Sequence, residues 1–223
     1  MLGMNLGDLN GIGKGVDKRW IYKDDLACEL AHDYLQKINY SMQDINNLLC
    51  ENGQIEKRTD VIATIVMTDW IVESVRGYKS CLLSNLLDDF CFSRQEDLQK
   101  SHSFIKGIRS FIVAHPLDTN RHERFGFDGD VICVDLRSGK PVSLRYGGID
   151  AKRIGINGIE EYDAERDGDL YLFTYSKRTN AKFFQFLVID LMEVIQVGEI
   201  YIEQLYEIDR YLRKLRKKDY IAK

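Results

Sequence analysis

The feature that most restricts the fold of this chain is a repeat of apolar positions in its last part. Ten positions, nine of them apolar and one glycine, follow one another in steps of three and four residues: Phe184, Leu187, Leu191, Val194, Gly198, Tyr201, Leu205, Ile208, Leu212 and Leu215. A period near 3.5 sustained over about four heptads predicts a long helix packed along a seam. A two-chain coiled coil would produce this pattern. A long helix in the groove of an antiparallel bundle is the commoner origin, and we favour it.

Three further amphipathic helices are predicted upstream. They run from Asp24 to Asn52, from Thr59 or Asp60 to Leu86, and from Ser93 to Pro116. Asp24 is a suitable N-cap for the first, and Ser93-x-x-Glu96 has the form of a capping box for the third. Pro116 bounds the third helix, because the residue before a proline is disfavoured in helical geometry.

Residues 117–178 differ in character from the helical segments. Turn-forming pairs such as Ser138-Gly139 separate short β-favouring stretches, namely Val131–Leu136, Val142–Tyr146 and Leu170–Tyr175. The predicted fold is therefore mainly α: an antiparallel four-helix bundle with a small β-rich insertion before the last long helix. Residues 19–116 would supply helices one to three, 117–178 the insertion, and 179–223 the last helix.

Residues 1–18 contain five glycines and few apolar side chains, which predicts a flexible N-terminal arm. The stretch from Gly11 to Gly15 does not match the G-x-x-x-x-G-K-[ST] pattern of a phosphate-binding loop, since Gly15 stands where the hydroxyl residue should be.

Composition narrows the class of protein. The net charge of −4 gives no general attraction to nucleic acid, so any such contact would need a local basic patch. No apolar run approaches the roughly 20 residues of a membrane span, and we expect a cytoplasmic protein without membrane contact. The five cysteines include no C-x-x-C pair, which favours reduced thiols over a zinc site.

The candidate site lies at the end of the third helix. On a helical wheel, five apolar residues form one arc: Phe104, Ile105, Ile108, Phe111 and Ile112. His115 projects within that arc and Arg109 lies at its edge. An arginine beside a core face is costly unless something pairs with it, and a histidine in a last helical turn gains from the helix dipole when protonated.

Arg109-x5-His115, at the end of a third helix and before a fourth, resembles the motif of the HEPN superfamily, an arginine four to six residues before a histidine. Many HEPN proteins are metal-independent ribonucleases of toxin–antitoxin and other defence systems. The resemblance implies that Arg109 holds the scissile phosphate and that His115 is a general acid or base. Ser110 takes the position where family members often carry a polar residue. The resemblance covers the helical part and implies a homodimer, RNA as substrate, an antitoxin protein as a partner, and no cofactor.

The α-helical spacing of Arg109 and His115 also favours a dimer, without reference to the family resemblance. Six residues of α helix rise about 9 Å and turn about 240° past a full circle, so the two side chains do not share one face. Two chains with their third helices facing would bring two arginines and two histidines into one cleft.

Two alternatives stay open beside catalysis. The arginine and histidine would form a buried structural pair with an acid of the second helical segment, such as Asp69, Glu73 or Asp88, or the site would bind without cleaving. In the rival functional class, the chain is a non-catalytic helical dimerisation module whose β insertion binds a partner.

Other charged residues near the motif give weaker indications of function. Arg121 and Arg124 follow it and are candidate RNA-binding residues at the mouth of a cleft, or exposed surface. His115, Asp118 and His122 match no common zinc spacing, so we expect no metal. The basic run from Arg210 to Lys218 could follow an RNA backbone, but complementing the end of its own helix is the favoured explanation.

Overall fold

The computed structural model describes residue 12 and residues 15–52, 57–114, 131–136, 150–161, 170–176 and 183–217. Its four α helices are α1 (Asp25–Asn52), α2 (Arg58–Cys81), α3 (Gln95–Arg109) and α4 (Leu191–Lys214). They hold most of the described regular structure. A β-sheet is formed between α3 and α4 in the sequence, as predicted.

The sheet has five strands: β1 (Val131–Leu136), β2 (Asp150–Gly155), β3 (Gly158–Glu161), β4 (Leu170–Ser176) and β5 (Phe183–Ile189). Their spatial order is β1-β4-β5-β2-β3. β5 pairs with β4 antiparallel and with β2 parallel, and β2 and β3 form an antiparallel hairpin. The predictions of strands at 131–136 and 170–175 are confirmed, whereas Val142–Tyr146 lies outside the described residues.

The prediction of helix from residue 179 onward is wrong for Phe183–Ile189, which is the strand β5. The sequence Phe-Phe-Gln-Phe-Leu-Val-Ile is rich in aromatic and β-branched residues, and Leu187, Val188 and Ile189 are buried. A nearly continuous apolar run satisfies a helical period and a buried strand equally well. The helix begins after Asp190, whose carboxylate accepts a hydrogen bond from the Met192 N–H at 2.8 Å.

The chain divides into two compact units. The first comprises Met1–Gly53, Met67–Leu98 and Gly198–Lys223, and the second comprises Gln54–Val66 and Gln99–Val197. The sheet belongs to the second unit.

In the first unit, α1 and α2 approach closely. The Asp24 carboxylate caps α1 by accepting the Ala27 N–H at 2.7 Å, as predicted. Gly77 of α2 lies against the Tyr34 ring, and a Cβ atom there would come within 2.6 Å of the ring carbon Cε1. α2 ends at Cys81 rather than near Leu86, because the chain then pairs with the segment before α1: the Leu83 N–H donates to the Ile21 carbonyl at 2.9 Å.

The residues just before α1 hold the end of α4. The Gly15 N–H donates to the Asp209 carboxylate at 2.9 Å, and Lys18 Nζ donates to the carbonyls of Leu212, Arg213 and Leu215 at 2.8, 2.9 and 3.1 Å. Residues 15–18 therefore depart from the predicted flexible arm. Of the rest of that arm the structure describes only residue 12, so for residues 1–14 the arm stays a prediction.

The two residues just before α3 bind acidic side chains of α4, which the sequence did not predict. The Ser93 hydroxyl and N–H both donate to the Glu207 carboxylate, at 2.6 and 3.2 Å. This acid on α4 occupies the place that the predicted capping box gave to Glu96, and α3 begins at Gln95. Arg94 joins the same region by pairing with Asp97 and Glu203, each at 2.7 Å.

α4 is buried by its own chain over a wide arc. Its buried apolar residues include neighbouring positions that no single coiled-coil seam would cover: Leu191, Val194, Ile195, Val197, Ile200, Tyr201, Ile202, Leu205, Ile208 and Leu212. A two-chain seam would leave much of this surface exposed in a single chain. The repeat therefore reflects a helix within the fold of one chain.

Candidate active site

The predicted apolar arc of α3 is confirmed. Phe104, Ile105, Ile108, Phe111 and Ile112 are all buried. Arg109 is the last residue of α3 and is half-buried, which agrees with a position at the edge of the arc. The Arg109 side chain is thus carried on a helix whose apolar arc is buried in the core.

A π-helical turn, Ser110–Ala114, follows Arg109 directly. Phe111 and Ile112 anchor this turn in the core, whereas Val113 is 40% exposed. The turn lies beside β1 in the second unit. Wider hydrogen-bonded turns of this kind are rare and occur often at functional sites. From Ser110 to Ala114 the backbone therefore does not follow the α-helical rotation on which the sequence-based geometry relied.

Of the five predicted site residues, the structure places two. Arg109 and Ser110 are adjacent and half-buried at the junction of α3 and the π-helical turn. His115, Arg121 and Arg124 lie outside the described residues, as do Asp118 and His122. The pairing of Arg109 with His115 stays a prediction.

The acids that were weighed as structural partners have separate environments in the first unit. Asp69 of α2 is buried, at 2% exposure. Glu73 is exposed and pairs with Arg76 at 3.5 Å, an i,i+3 contact on the surface of α2. Asp88 is exposed, beyond the end of α2. Glu73 and Asp88 therefore have the settings of surface charges, not of buried counter-ions.

A charged cluster that sequence reasoning missed lies between β2 and the first turn of α4. Arg153 of β2 contacts the carboxylates of Asp190 and Glu193 at 3.5 and 3.8 Å. The Glu193 carboxylate packs on Gly155, where a Cβ atom would come within 2.7 Å of Oε2. Burial raises the pKa of Glu193, and this effect exceeds the opposing influence of Arg153. The signal in the sequence was the Asp190-x-x-Glu193 pattern of a helix start.

A buried polar cluster lies in the first unit, around Tyr22, Tyr78 and Asp209. Tyr22 donates its hydroxyl proton to the Val16 carbonyl at 2.7 Å, and burial raises the pKa of both Tyr22 and Tyr78. Asp209, at 1% side-chain exposure, pairs with Arg213 at 2.5 Å. Tyr22 thus fixes the segment before α1, and Asp209, which also accepts the Gly15 N–H, joins that segment to the end of α4.

The described part of the chain contains neither a cluster of metal-ligating side chains nor a membrane-spanning helix. No three His, Cys, Asp or Glu side chains described here gather as a metal site. None of the described helices is both long and apolar enough to cross a membrane. Comparisons of the chain with family models, with curated proteins and with solved structures found no match.

Proposed function

We propose that this protein is a HEPN-like, metal-independent endoribonuclease that acts as a homodimer through Arg109 and His115. The observation that carries the proposal is the π-helical turn Ser110–Ala114, which connects the last residue of α3 to the position of His115. A rare backbone element between two chemically suited side chains favours a functional explanation over a purely structural one.

The chemistry requires few groups. The RNA 2′-oxygen attacks the adjacent phosphorus, its proton passes to the imidazole of His115, and the bond to the 5′-oxygen breaks. The leaving 5′-oxygen takes a proton from the second His115 of the dimer cleft, so the products are a 2′,3′-cyclic phosphate and a 5′-hydroxyl. The guanidinium of Arg109 stabilises the charge that accumulates on the phosphate. Ser110 helps to orient the phosphate, and Arg121 and Arg124 contact the backbone beyond it.

The rest of the proposal follows the family pattern. The four helices form the HEPN-like bundle, and the dimer brings two third helices together. An antitoxin protein would hold the ribonuclease inactive in a cytoplasmic defence system.

Cleavage of a mixed RNA substrate by purified protein in EDTA tests the proposal. The wild-type protein should give fragments with cyclic phosphate ends, and Arg109→Gln and His115→Ala should each lower the rate by about 100-fold or more. His32→Ala and Arg76→Gln are matched controls, because both residues are exposed on α1 and α2. Equal cleavage by wild-type and His115→Ala protein, or by neither, would overturn the catalytic claim.

A non-catalytic interaction module is the second candidate. It is favoured by the exposure of large apolar side chains on two neighbouring helices: Leu26 and Leu30, one turn apart on α1, are 65% and 42% exposed, and Trp70 on α2 is 43% exposed. Such groups on one unit are typical of association surfaces. Under this alternative, Leu26→Asn/Leu30→Asn would abolish dimers in sedimentation equilibrium while wild-type protein shows no cleavage. Under the ribonuclease proposal, cleavage by wild-type protein is present and depends on His115.

A further inference from the structure

The second unit contains a cavity of about 340 Å³ between α3 and the β2–β3 hairpin. The helix contributes Gln99, Lys100, Ser103 and Phe104, and the hairpin contributes the stretch from Ile154 to Ile159. Its size is at the lower end of the range in which proteins hold small ligands, roughly 300–1,000 Å³. Neither the sequence motif nor the proposed cleavage reaction uses these residues.

The cavity has an apolar floor and an apolar lip. Phe104 and Ile154 are buried and form its floor, whereas Ile159 at the lip is 43% exposed. Ile156 is half-buried beside it. An isoleucine that keeps this much surface in water at the rim of a cavity gains free energy when an apolar group covers it.

The polar groups of the cavity are few and carry one sign of charge. Of the ten described residues that line it, Lys100 alone is charged, and Gln99, Ser103 and Asn157 supply neutral donors and acceptors. Gln99, Lys100 and Ser103 are exposed along one side of α3, so their polar ends lie at the rim. An apolar body with a single anionic group would match this arrangement.

Gly158, the first residue of β3, adds no side chain to the lining of the cavity. Gly158 has a positive φ of 122°, which favours glycine, and a Cβ atom there would meet nothing within 4 Å. On the other side, Gly155 allows the Glu193 carboxylate to pack behind the strand, where Arg153 contacts it. The Glu193 carboxylate is therefore engaged by Arg153 and does not line the cavity.

The cavity is separate from Arg109. Lys100 and Arg109 are nine residues apart on the same α helix, which corresponds to about 13 Å along the axis and about half a turn of rotation. The two side chains leave opposite sides of α3. A ligand in the cavity would not occupy the position that Arg109 offers to a phosphate.

We propose that this cavity binds a small amphiphilic anion, with a ring-containing apolar body between Phe104 and Ile159 and its acidic group at Lys100. The ligand class is an aromatic carboxylate, sulfonate or phosphate monoester with a single acidic group. The site acts independently of the cleavage reaction, so failure of either proposal leaves the other standing.

Two fluorescent probes test the proposal because they share an apolar body and differ in charge. 8-Anilino-1-naphthalenesulfonate carries one sulfonate, and N-phenyl-1-naphthylamine is its neutral analogue. We expect both to bind the full-length protein with one-to-one stoichiometry. Lys100→Gln should weaken the anionic probe about fivefold, equivalent to about 1 kcal/mol, and change the neutral probe less than twofold. Lys106→Gln, a lysine on another side of α3, is the matched control.

The second part of the experiment fills the cavity with a larger side chain. Ser103→Phe should weaken both probes by more than tenfold, whereas Gln95→Phe, an exposed position at the start of α3, should leave both unchanged. Near-ultraviolet circular dichroism identifies variants that keep native packing, because the anionic probe also binds partly unfolded states. The proposal is overturned if neither probe binds saturably, if Ser103→Phe leaves binding intact, or if Lys100→Gln and Lys106→Gln affect the anionic probe equally.

Discussion

The N–H of Gly15 donates a hydrogen bond to the buried carboxylate of Asp209, 194 residues further along the chain. A Cβ atom at Gly15 would come within 2.5 Å of the Asp209 backbone oxygen, so only glycine permits this approach. The contact fixes the segment before α1 on the last turns of α4.

Asp209→Ala should destabilise the protein by about 2–3 kcal/mol. The substitution leaves the Gly15 N–H without its acceptor and removes the carboxylate that pairs with Arg213. Urea unfolding followed by circular dichroism measures the loss. Asp25→Ala is the control, because the Asp25–Arg19 pair is exposed on both sides and should contribute less than about 0.5 kcal/mol. An equal loss of unfolding free energy in the two variants would show that the buried contact stabilises the protein no more than an exposed ion pair does.

Lys18 provides a second link between the same segments. Its ammonium group donates to three carbonyls at the end of α4, where intrahelical partners are missing and the helix dipole is negative. Lys18→Met should lower the free energy of unfolding by about 1–2 kcal/mol. Lys23→Met should cost less, because Lys23 donates to one carbonyl, that of Ser80, at an exposed site. A larger loss for Lys23→Met would contradict this account.

The helix starts that depend on neighbouring residues could be predicted from the sequence. Asp24 caps α1 as expected, because an N-cap needs only a donor three residues later. The links of Ser93 to Glu207 and of Lys18 to Leu212 join residues more than 100 positions apart. No local pattern contains that information, since it arises when α4 packs against the rest of its unit.

The candidate site, like the helix starts, could be predicted only in its local features. The periodicity of α3 placed Arg109 at the edge of a buried arc, and its half-buried side chain agrees with this. The α helix predicted to continue to Pro116 instead ends at Arg109 and is followed by the π-helical turn. The π-helical form of Ser110–Ala114 had no signal in the sequence, because the burial of Phe111 and Ile112 is what a continuing α helix would also predict. The cavity was missed because the β2–β3 hairpin was missed.

Gly77 sets the distance between α1 and α2. Gly77→Ala should destabilise the protein by about 1–3 kcal/mol, since the new methyl group would overlap the Tyr34 ring. Alanine is otherwise favoured over glycine within a helix by about 1 kcal/mol, so a loss can only come from the contact. Tyr34→Leu in the same chain should recover at least half of the loss in chemical unfolding. Stabilisation by Gly77→Ala alone would show that the two helices can separate without cost.

Glu193→Gln should change how stability depends on pH. Burial raises the pKa of Glu193 above its ordinary value of 4.5, so the folded protein holds this proton more tightly than the unfolded chain does. The protonated side chain therefore favours folding at low pH, and this contribution is lost as pH rises through the folded pKa. Glutamine keeps the shape beside Gly155 without the charge.

We expect Glu193→Gln to be more stable than the wild type at pH 7 by roughly 0.5 kcal/mol, with the difference vanishing as pH falls below 4.5. Urea unfolding between pH 4 and pH 8 measures both limits. Glu96→Gln, an exposed acid of α3, controls for the loss of one carboxylate from the surface. Lower stability of Glu193→Gln at pH 7 would mean that the contact with Arg153 outweighs the cost of burial, and would reverse the order of the two effects at this site.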